Sequence, residues 1–256
     1  MRQLARLDYL DIQIYDDQKT TLVIPQVDID GIPYQSTLMT NDALAYELFE
    51  LLKMPQQNSA WGSKVLYQAD SKEVFISSRP FQKSMQFKGI FFLQDDAIEK
   101  LKLVIDFLKG RKIKFLISRL DISFIVQENK IYQALDRCDF KKMTQFEMKK
   151  KKEVIYYKVY NSRFSLVAYG KTAQIKKEKG KDYLQRFLKF YELESMPDDL
   201  INIELRVLGT DSCADLTEQI MDGLNLEKIK ALVLAFTNKR IKLTKKIHNL
   251  LKNSSI

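Results

Sequence analysis

The sequence predicts an α+β protein: mostly antiparallel sheet in two similar α+β halves, followed by a helical C-terminus. Three observations predict it. Short runs with period-two alternation are separated by turn residues more often than by crossover helices, which is the mark of antiparallel pairing. The order hairpin, helix, long strand occurs twice, with the boundary near Gly110. Beyond residue 210 the apolar residues adopt helical spacing and keep it. The chain is therefore divided into an N-terminal α+β half (1–110), a second α+β half (111–210) and a C-terminal helical segment (211–256).

The elements follow in order. Residues 4–15, with Leu7, Tyr9, Ile12 and Ile14, read as a strand, and 20–25 as its neighbour. Gly31-Ile32-Pro33 marks a turn, and Asn41-Asp42 offers an N-cap for a helix over 43–53 that ends before Pro55. Strands are expected at 64–69, 73–78 and 84–92, then a helix opened by Asp95-Asp96 and closed at Gly110. In the second part, 112–127 reads as one long strand, 129–138 as a helix, and 153–160 and 163–169 as a hairpin joined by Asn161-Ser162. A basic helix over 173–193, a turn at Pro197-Asp198-Asp199 and a strand over 200–208 come next. Helices over 213–221 and 225–236 follow, the second extending toward residue 252.

Charge narrows the function. Residues 1–110 hold 12 Lys and Arg against 15 Asp and Glu, a net of −3; residues 111–256 hold 30 against 18, a net of +12. A polyanion is attracted to the second part. No apolar run is long enough to span a bilayer, and the N-terminus has no uninterrupted apolar stretch of the secretory kind. Cys138 and Cys213 have neither metal nor disulfide spacing and read as reduced thiols. A cytoplasmic protein without membrane partners is expected.

Absent motifs exclude several chemistries. There is no G-x-x-x-x-G-K-[ST] phosphate loop and no G-x-G-x-x-G. The single histidine, His248, rules out a paired-histidine metal site and disfavours a Ser-His-Asp triad. Any divalent cation must be held mainly by carboxylates, which suits Mg²⁺ or Mn²⁺.

Three segments could carry chemistry. In the strand 118–124, Arg119, Asp121 and Ser123 share one face while Leu120, Ile122 and Phe124 share the other. In 203–207, Glu204 and Arg206 share a face opposite Ile203, Leu205 and Val207. Two such strands could bring Asp121 and Glu204 together to hold one cation, with Arg119 and Arg206 gripping phosphate. The third segment, 153–171, interleaves Tyr156, Tyr157, Tyr160 and Tyr169 with Lys158, Arg163 and Lys171. A phenol can attack a phosphodiester, and nearby cations stabilise the charge that develops. Each pattern also suits an exposed ion pair or a packed aromatic.

Taken in order, the three segments resemble the replication initiation factor family of rolling-circle plasmid and phage initiators, to which some relaxases are related. The residues are Arg119-Leu120-Asp121-Ile122, then Tyr156 through Arg163 to Tyr169-Gly170-Lys171, then Glu204-Leu205-Arg206. The run 74–92 followed by a helix is similar to filamentous-phage replication endonucleases. Gly170 stands where the family commonly has an acidic residue. The resemblance implies a site-specific DNA nickase and strand transferase acting at a replication origin, in a single-stranded or hairpin region, through a phosphotyrosyl intermediate. It implies Tyr169 as nucleophile, with Tyr157 and Tyr160 in reserve, and Asp121 and Glu204 as ligands of Mg²⁺ or Mn²⁺. Arg119, Arg163, Lys171 and Arg206 become phosphate contacts.

Lys158, Lys176 and Lys177 extend the expected DNA-binding set, and Tyr183, Phe187, Phe190 and Tyr191 follow at helical spacing, more in the manner of a core than of a base-stacking surface. The C-terminal apolar stripe of Leu226, Ile229, Val233 and Phe236 suits packing on the body or on a second copy in a homodimer. Two rival readings remain. One is a non-catalytic DNA-binding protein whose helix-turn-helix is formed by 213–221 and 225–236; the other is an RNA-binding or structural protein that needs only the charge.

Overall fold

The computed structural model describes residues 4–254 apart from 16–20, 24–25, 30–31, 36–38, 42, 62–63, 80–81, 128–129, 141–142, 144, 152–153 and 179–180. The first half contains β1 (Leu4–Tyr15), β2 (Thr21–Val23), β3 (Gln26–Ile29), β4 (Ile32–Gln35), β5 (Met39–Asn41), α1 (Ala43–Leu51), β6 (Gln56–Trp61), β7 (Lys64–Ala69), β8 (Val74–Arg79), β9 (Gln82–Phe87) and α2 (Ala97–Gly110). The second contains β10 (Lys114–Gln127), α3 (Ile131–Asp136), β11 (Gln145–Lys151), β12 (Val154–Tyr160), β13 (Phe164–Gly170), α4 (Lys171–Glu178), α5 (Lys181–Phe190) and β14 (Leu200–Leu208). Helices α6 (Ala214–Met221), α7 (Leu226–Asn238) and α8 (Lys245–Asn253) follow. The turn residue Gly31 and the capping candidate Asp42 lie outside the described residues.

One ten-stranded sheet organises these elements, in the order β11-β12-β13-β14-β10-β1-β9-β8-β7-β6. Its paired strands are antiparallel throughout. The two longest strands, β1 and β10, pair at the centre, and each half supplies five strands outward from there. The expected fold class is thus the observed one.

Alternation decides which face is buried. On β8 and β9, Val74 and Ile76 with Met85 and Phe87 point into the core, and Phe75 and Ser77 with Ser84 and Gln86 point the other way. Leu10, Ile12 and Ile14 of β1 join Leu120, Ile122 and Phe124 of β10, all fully buried. The same cluster includes Leu48 of α1, Leu101 and Leu108 of α2, Ile220 of α6, Ile229 of α7 and Ile247 of α8. A smaller cluster seats α4 and α5: Ile175, Tyr183, Phe187 and Tyr191 pack with Ile125, Leu200 and Leu93.

Several expectations are corrected. Residues 21–23 pair with Met39–Asn41 and not with β1. The strand expected over 84–92 ends at Phe87; Gly89 turns the chain and Phe91–Leu93 form a 3-10 turn whose Phe91 and Phe92 rings pack on Phe87. The helix expected over 173–193 is two, and Gly180, the weakest helix former after proline, stands in the sequence between them. The C-terminal helix does not run on to 252. It stops at Asn238, the buried Ile241 turns into the core, Lys242 bridges to Asp139, and Thr244 caps α8 by accepting from the Ile247 amide. Sequence reasoning missed β6 and β11, the two outer strands. Both are rich in Gln or Lys, as edge strands are, and lack the apolar alternation that marks inner ones.

Candidate active site

The site lies on the sheet face opposite the main core, where the central strands cross under α5. Its geometry begins with a bulge. Leu7 pairs with Ile122 but Tyr9 pairs with Asp121, so Asp8 is an extra residue in β1. A bulge re-aims the strand by one position. Leu7 therefore stays in the core, while Arg6, Asp8, Tyr9 and Asp11 surround the site. Gly89 fits against this bulge: a Cβ there would stand 2.6 Å from Asp8 Oδ1 and 3.2 Å from the Asp8 carbonyl oxygen.

Strand pairing brings the acidic and basic residues together. Asp121 sits opposite Arg206 and Ser123 opposite Glu204, so Asp121 and Glu204 are diagonal neighbours on one face. Arg119 grips Asp121 with two hydrogen bonds, Nε to Oδ1 at 2.9 Å and a terminal nitrogen to Oδ2 at 2.6 Å. Arg206 spans both acids: its Nε lies 3.0 Å from Glu204 Oε2 and 3.5 Å from Asp121 Oδ2. Asp8 is paired with one terminal nitrogen of Arg6, whose other terminal nitrogen donates to the Gly89 carbonyl at 2.8 Å.

Burial drives the electrostatics. It pushes the Asp121 carboxyl up to about 6, against the pull of Arg119 and Arg206. Burial also pushes Asp8 upward, but Arg6, Lys171 and Arg206 outweigh it and hold this carboxyl below its ordinary value. Tyr169 is 4% exposed. Its phenol donates a short hydrogen bond to Glu204 Oε1 and accepts one from Asn202 Nδ2 at 2.7 Å. Burial, followed by the neighbouring Glu204 and Asp8, raises its pKa well above 10, so the phenol is held protonated with its proton already directed at a carboxylate.

A cavity of about 770 Å³ opens above these groups. Cations Lys72, Lys88, Arg119, Lys158, Lys171 and Arg206 line it, against the acids Asp8, Asp121, Asp182 and Glu204. The Tyr156 ring stacks on Tyr169 at 5.5 Å, and Lys171 lies between the Tyr169 and Tyr183 rings, 5.5 and 5.4 Å from their centroids. Lys171 is the first residue of α4 rather than a strand residue, so a helix N-terminus follows directly on Tyr169 and Gly170.

Seven of the ten residues expected at the site line this cavity: Tyr169, Lys171, Arg119, Asp121, Glu204, Lys158 and Arg206. Three do not. Arg163 is exposed at the turn between β12 and β13, and Lys176 is exposed on α4, paired with Asp198 at 3.0 Å. Lys177 belongs to α4, but its side chain lies outside the described residues. Of the reserve tyrosines, Tyr157 points to the opposite face and is buried beside Phe140. Tyr160 sits beside Lys158, outside the cavity lining. Sequence reasoning missed Arg6, Asp8, Tyr9, Lys88 and Tyr183. The available signal was the break of alternation between Leu7 and Leu10, which only a bulge reconciles.

Among the described residues no group of three His, Cys, Asp or Glu side chains is set as metal ligands. The donors present are nonetheless all carboxylate oxygens, the chemistry a hard divalent cation needs, and arginines occupy them here.

Comparison with known proteins adds the family. A family model for the N-terminal region of a phage replication-associated protein matches residues 94–243, more than half of the chain. The structure is similar to that of a rolling circle replication initiator protein from Geobacillus stearothermophilus, with a TM-score of 0.57 and 10% identity over 99% of this chain and 98% of that one, which is a likeness of fold. No curated protein matches the chain. The matched span runs from the end of the 3-10 turn through β10, Tyr169 and Glu204 to the segment between α7 and α8, and the chain belongs to this replication-associated protein family of replication initiators.

Proposed function

We propose that the chain is a rolling-circle replication initiator that nicks one DNA strand at an origin and later rejoins it, with Tyr169 as nucleophile. One observation carries this reading: the phenol of Tyr169 is hydrogen-bonded to a buried carboxylate inside a cavity that Arg119, Lys171, Arg206 and three further lysines also line. Such a phenol cannot ionise by itself near neutral pH. Glu204 accepts its proton as the oxygen attacks phosphorus. Arg119, Arg206 and Lys171 stabilise the charge spreading over the phosphoryl oxygens. The tyrosine remains on the 5′ phosphate, and the P–O bond to the 3′ oxygen breaks; that oxygen takes up a proton through solvent water, balancing the one passed to Glu204, and leaves as a hydroxyl. Asn202, donating to both Tyr169 and Glu204, keeps the pair aligned. Lys158, Arg163, Lys176 and Lys177 would contact the strand on either side of the scissile phosphate. Asp121 and Glu204, with Asp8 beside them, would hold Mg²⁺ or Mn²⁺, which would polarise the scissile phosphate and offset its charge. Of the divisions 1–110, 111–210 and 211–256, the second would carry the nucleophile and most of the charged groups, the first would add Asp8, Tyr9 and Lys88 to the same cavity, and the third would support the fold.

A non-catalytic helix-turn-helix protein is less well supported. Helices α6 and α7 bury Leu216, Ile220, Ile229 and Val233 in the main core, and the exposed positions of α7 include Ala231 and Ala235, which offer few groups for reading bases.

The test is covalent capture. The purified chain is incubated with labelled single-stranded DNA in Mg²⁺ or Mn²⁺ and analysed in SDS. A metal-dependent adduct is expected, abolished in Tyr169→Phe while DNA binding persists. A chain that binds DNA yet never forms the adduct with either metal is not a nickase.

A further inference from the structure

The candidate cavity does not end the polar face of the sheet. Beyond Asp121 and Arg119 the same face continues across β1, β9 and β8. There its outward positions are Tyr9, Asp11 and Gln13, then Gln82, Ser84, Gln86 and Lys88, then Phe75, Ser77 and Arg79. An outward strand face serving only as a solvated surface is ordinarily rich in Lys and Glu. This one is made largely of amides, hydroxyls and two rings.

The rings stand at the cavity mouth. Lys88 Nζ lies 4.8 Å from the Tyr9 centroid and 5.1 Å from that of Phe75, and the Arg119 guanidinium covers Tyr9 at 4.2 Å. Aromatic faces interleaved with cations suit unpaired bases and their phosphates, because every base has a π-face to stack. Farther out the amides are fixed in place. Gln82 donates to Gln13 at 2.9 Å, Gln13 donates to Ser118 Oγ at 3.1 Å, and Ser84 donates to Asp11 at 2.7 Å. Gln13, Ser77, Arg79, Gln82, Ser84 and Gln86 enclose a further hollow of about 250 Å³. Held in this way, Gln82 keeps a donor and an acceptor, and Gln13 and Gln86, whose donors go to Asp11, Ser118 and Ser84, each keep an acceptor lone pair in a set orientation, the property that base-edge recognition requires.

We propose that this face, with Tyr9, Phe75 and Lys88 at the cavity mouth and Gln13, Gln82 and Gln86 beyond, receives the unpaired DNA strand flanking the scissile phosphate and reads its bases. The proposal rests on the reading of the cavity as the nicking site, from which the face continues without interruption. It assigns a recognition function to the N-terminal half, whose net charge of −3 gives no hint of DNA contact. The charged residues at this face are mainly Lys88, Arg79 and Arg119; the acid, Asp11, is half-buried beneath its serine and glutamine donors. Lys88 is depressed in pKa by burial and by the adjacent Arg119, a crowding of cations that a phosphate would relieve.

Two metal-free measurements on the full chain test it, so that neither depends on cleavage. The first is the affinity for fluorescein-labelled dT20. Phe75→Ala is expected to weaken it about tenfold, the loss of one stacked base. The second is selection of bound strands from a randomised single-stranded 30-mer pool. Wild type is expected to enrich a motif, and the triple variant Gln13→Ala/Gln82→Ala/Gln86→Ala to lose one contiguous block of it. Circular dichroism shows whether each variant folds, and Gln86→Ala alone serves if the triple variant does not. Unchanged motif and unchanged affinity in these variants would overturn the assignment, as would selection of duplex-forming strands only. Loss of the covalent adduct in wild type, with these binding effects intact, would instead overturn the nickase reading alone.

Discussion

At the scale of single residues, Asp121 sets the pH dependence. Its carboxyl titrates near 6 because burial outweighs the two arginines. Only the ionised form can serve Arg119, Arg206 or a cation. Adduct formation at fixed, subsaturating Mg²⁺ should therefore rise about tenfold per pH unit up to about 6 and level off above it. Asp121→Asn should remove this rise; a wild-type rate that stays flat between pH 5 and 7 would exclude the role. The linkage to stability has the opposite sense. The folded value lies above the ordinary 3.8, so the fold favours the neutral carboxyl. The stability this group contributes is full below about pH 4 and is lost as the pH climbs to about 6. Gly89 makes a second prediction. A methyl group there meets Asp8 Oδ1 at 2.6 Å, so Gly89→Ala should destabilise the chain by about 1–3 kcal/mol and slow adduct formation at least tenfold by displacing Asp8. Urea melts and SDS gels check the two effects separately; full activity would mean that Asp8 has no part in the reaction.

At the scale of elements, α5 closes one wall of the site, and an ion pair to a buried carboxylate clamps it there. Glu73, 2% exposed, receives Arg186 of α5 and Gln94 of the loop before α2. Arg186→Ala leaves that carboxylate with Gln94 alone and should cost about 1–3 kcal/mol in a urea melt. Lys189→Ala, which breaks the exposed pair with Asp95, should cost less than about 1 kcal/mol. Equal effects would deny the clamp. The strands that flank the cavity were well marked in the sequence: β10, β13 and β14 carry long apolar runs or unbroken alternation, and parity alone put Asp121 with Arg119, and Glu204 with Arg206, on shared faces. The closing of the cavity by α5 was not legible, because Tyr183 and Phe187 have the spacing of any amphipathic helix. Nor was Asp8, because a bulge inverts the parity of everything before it. Tyr157 and Tyr169 were both named as candidates, and parity separates them: Tyr157 pairs with Ala168, the neighbour of Tyr169, so the two phenols stand on opposite faces of the sheet and only Tyr169 reaches the cavity.

At the scale of the whole molecule, two five-stranded halves joined through β1 and β10 build one cavity. The basic half carries Tyr169 and the acids beside it, and the N-terminal half supplies Asp8, Tyr9 and Lys88 to the same lining, with Arg6 behind Asp8. No helix among the described residues is long and apolar enough to cross a membrane. The charge asymmetry pointed to the basic half alone, since a net count is blind to a few cations converging from an acidic segment. The most direct measurement of the central claim is to digest the SDS-stable adduct and identify the DNA-linked peptide by mass spectrometry. The linkage is predicted on Tyr169, through its phenol oxygen to a 5′ phosphate. A linkage on Tyr156, Tyr160 or Tyr183, or on no tyrosine at all, would contradict it.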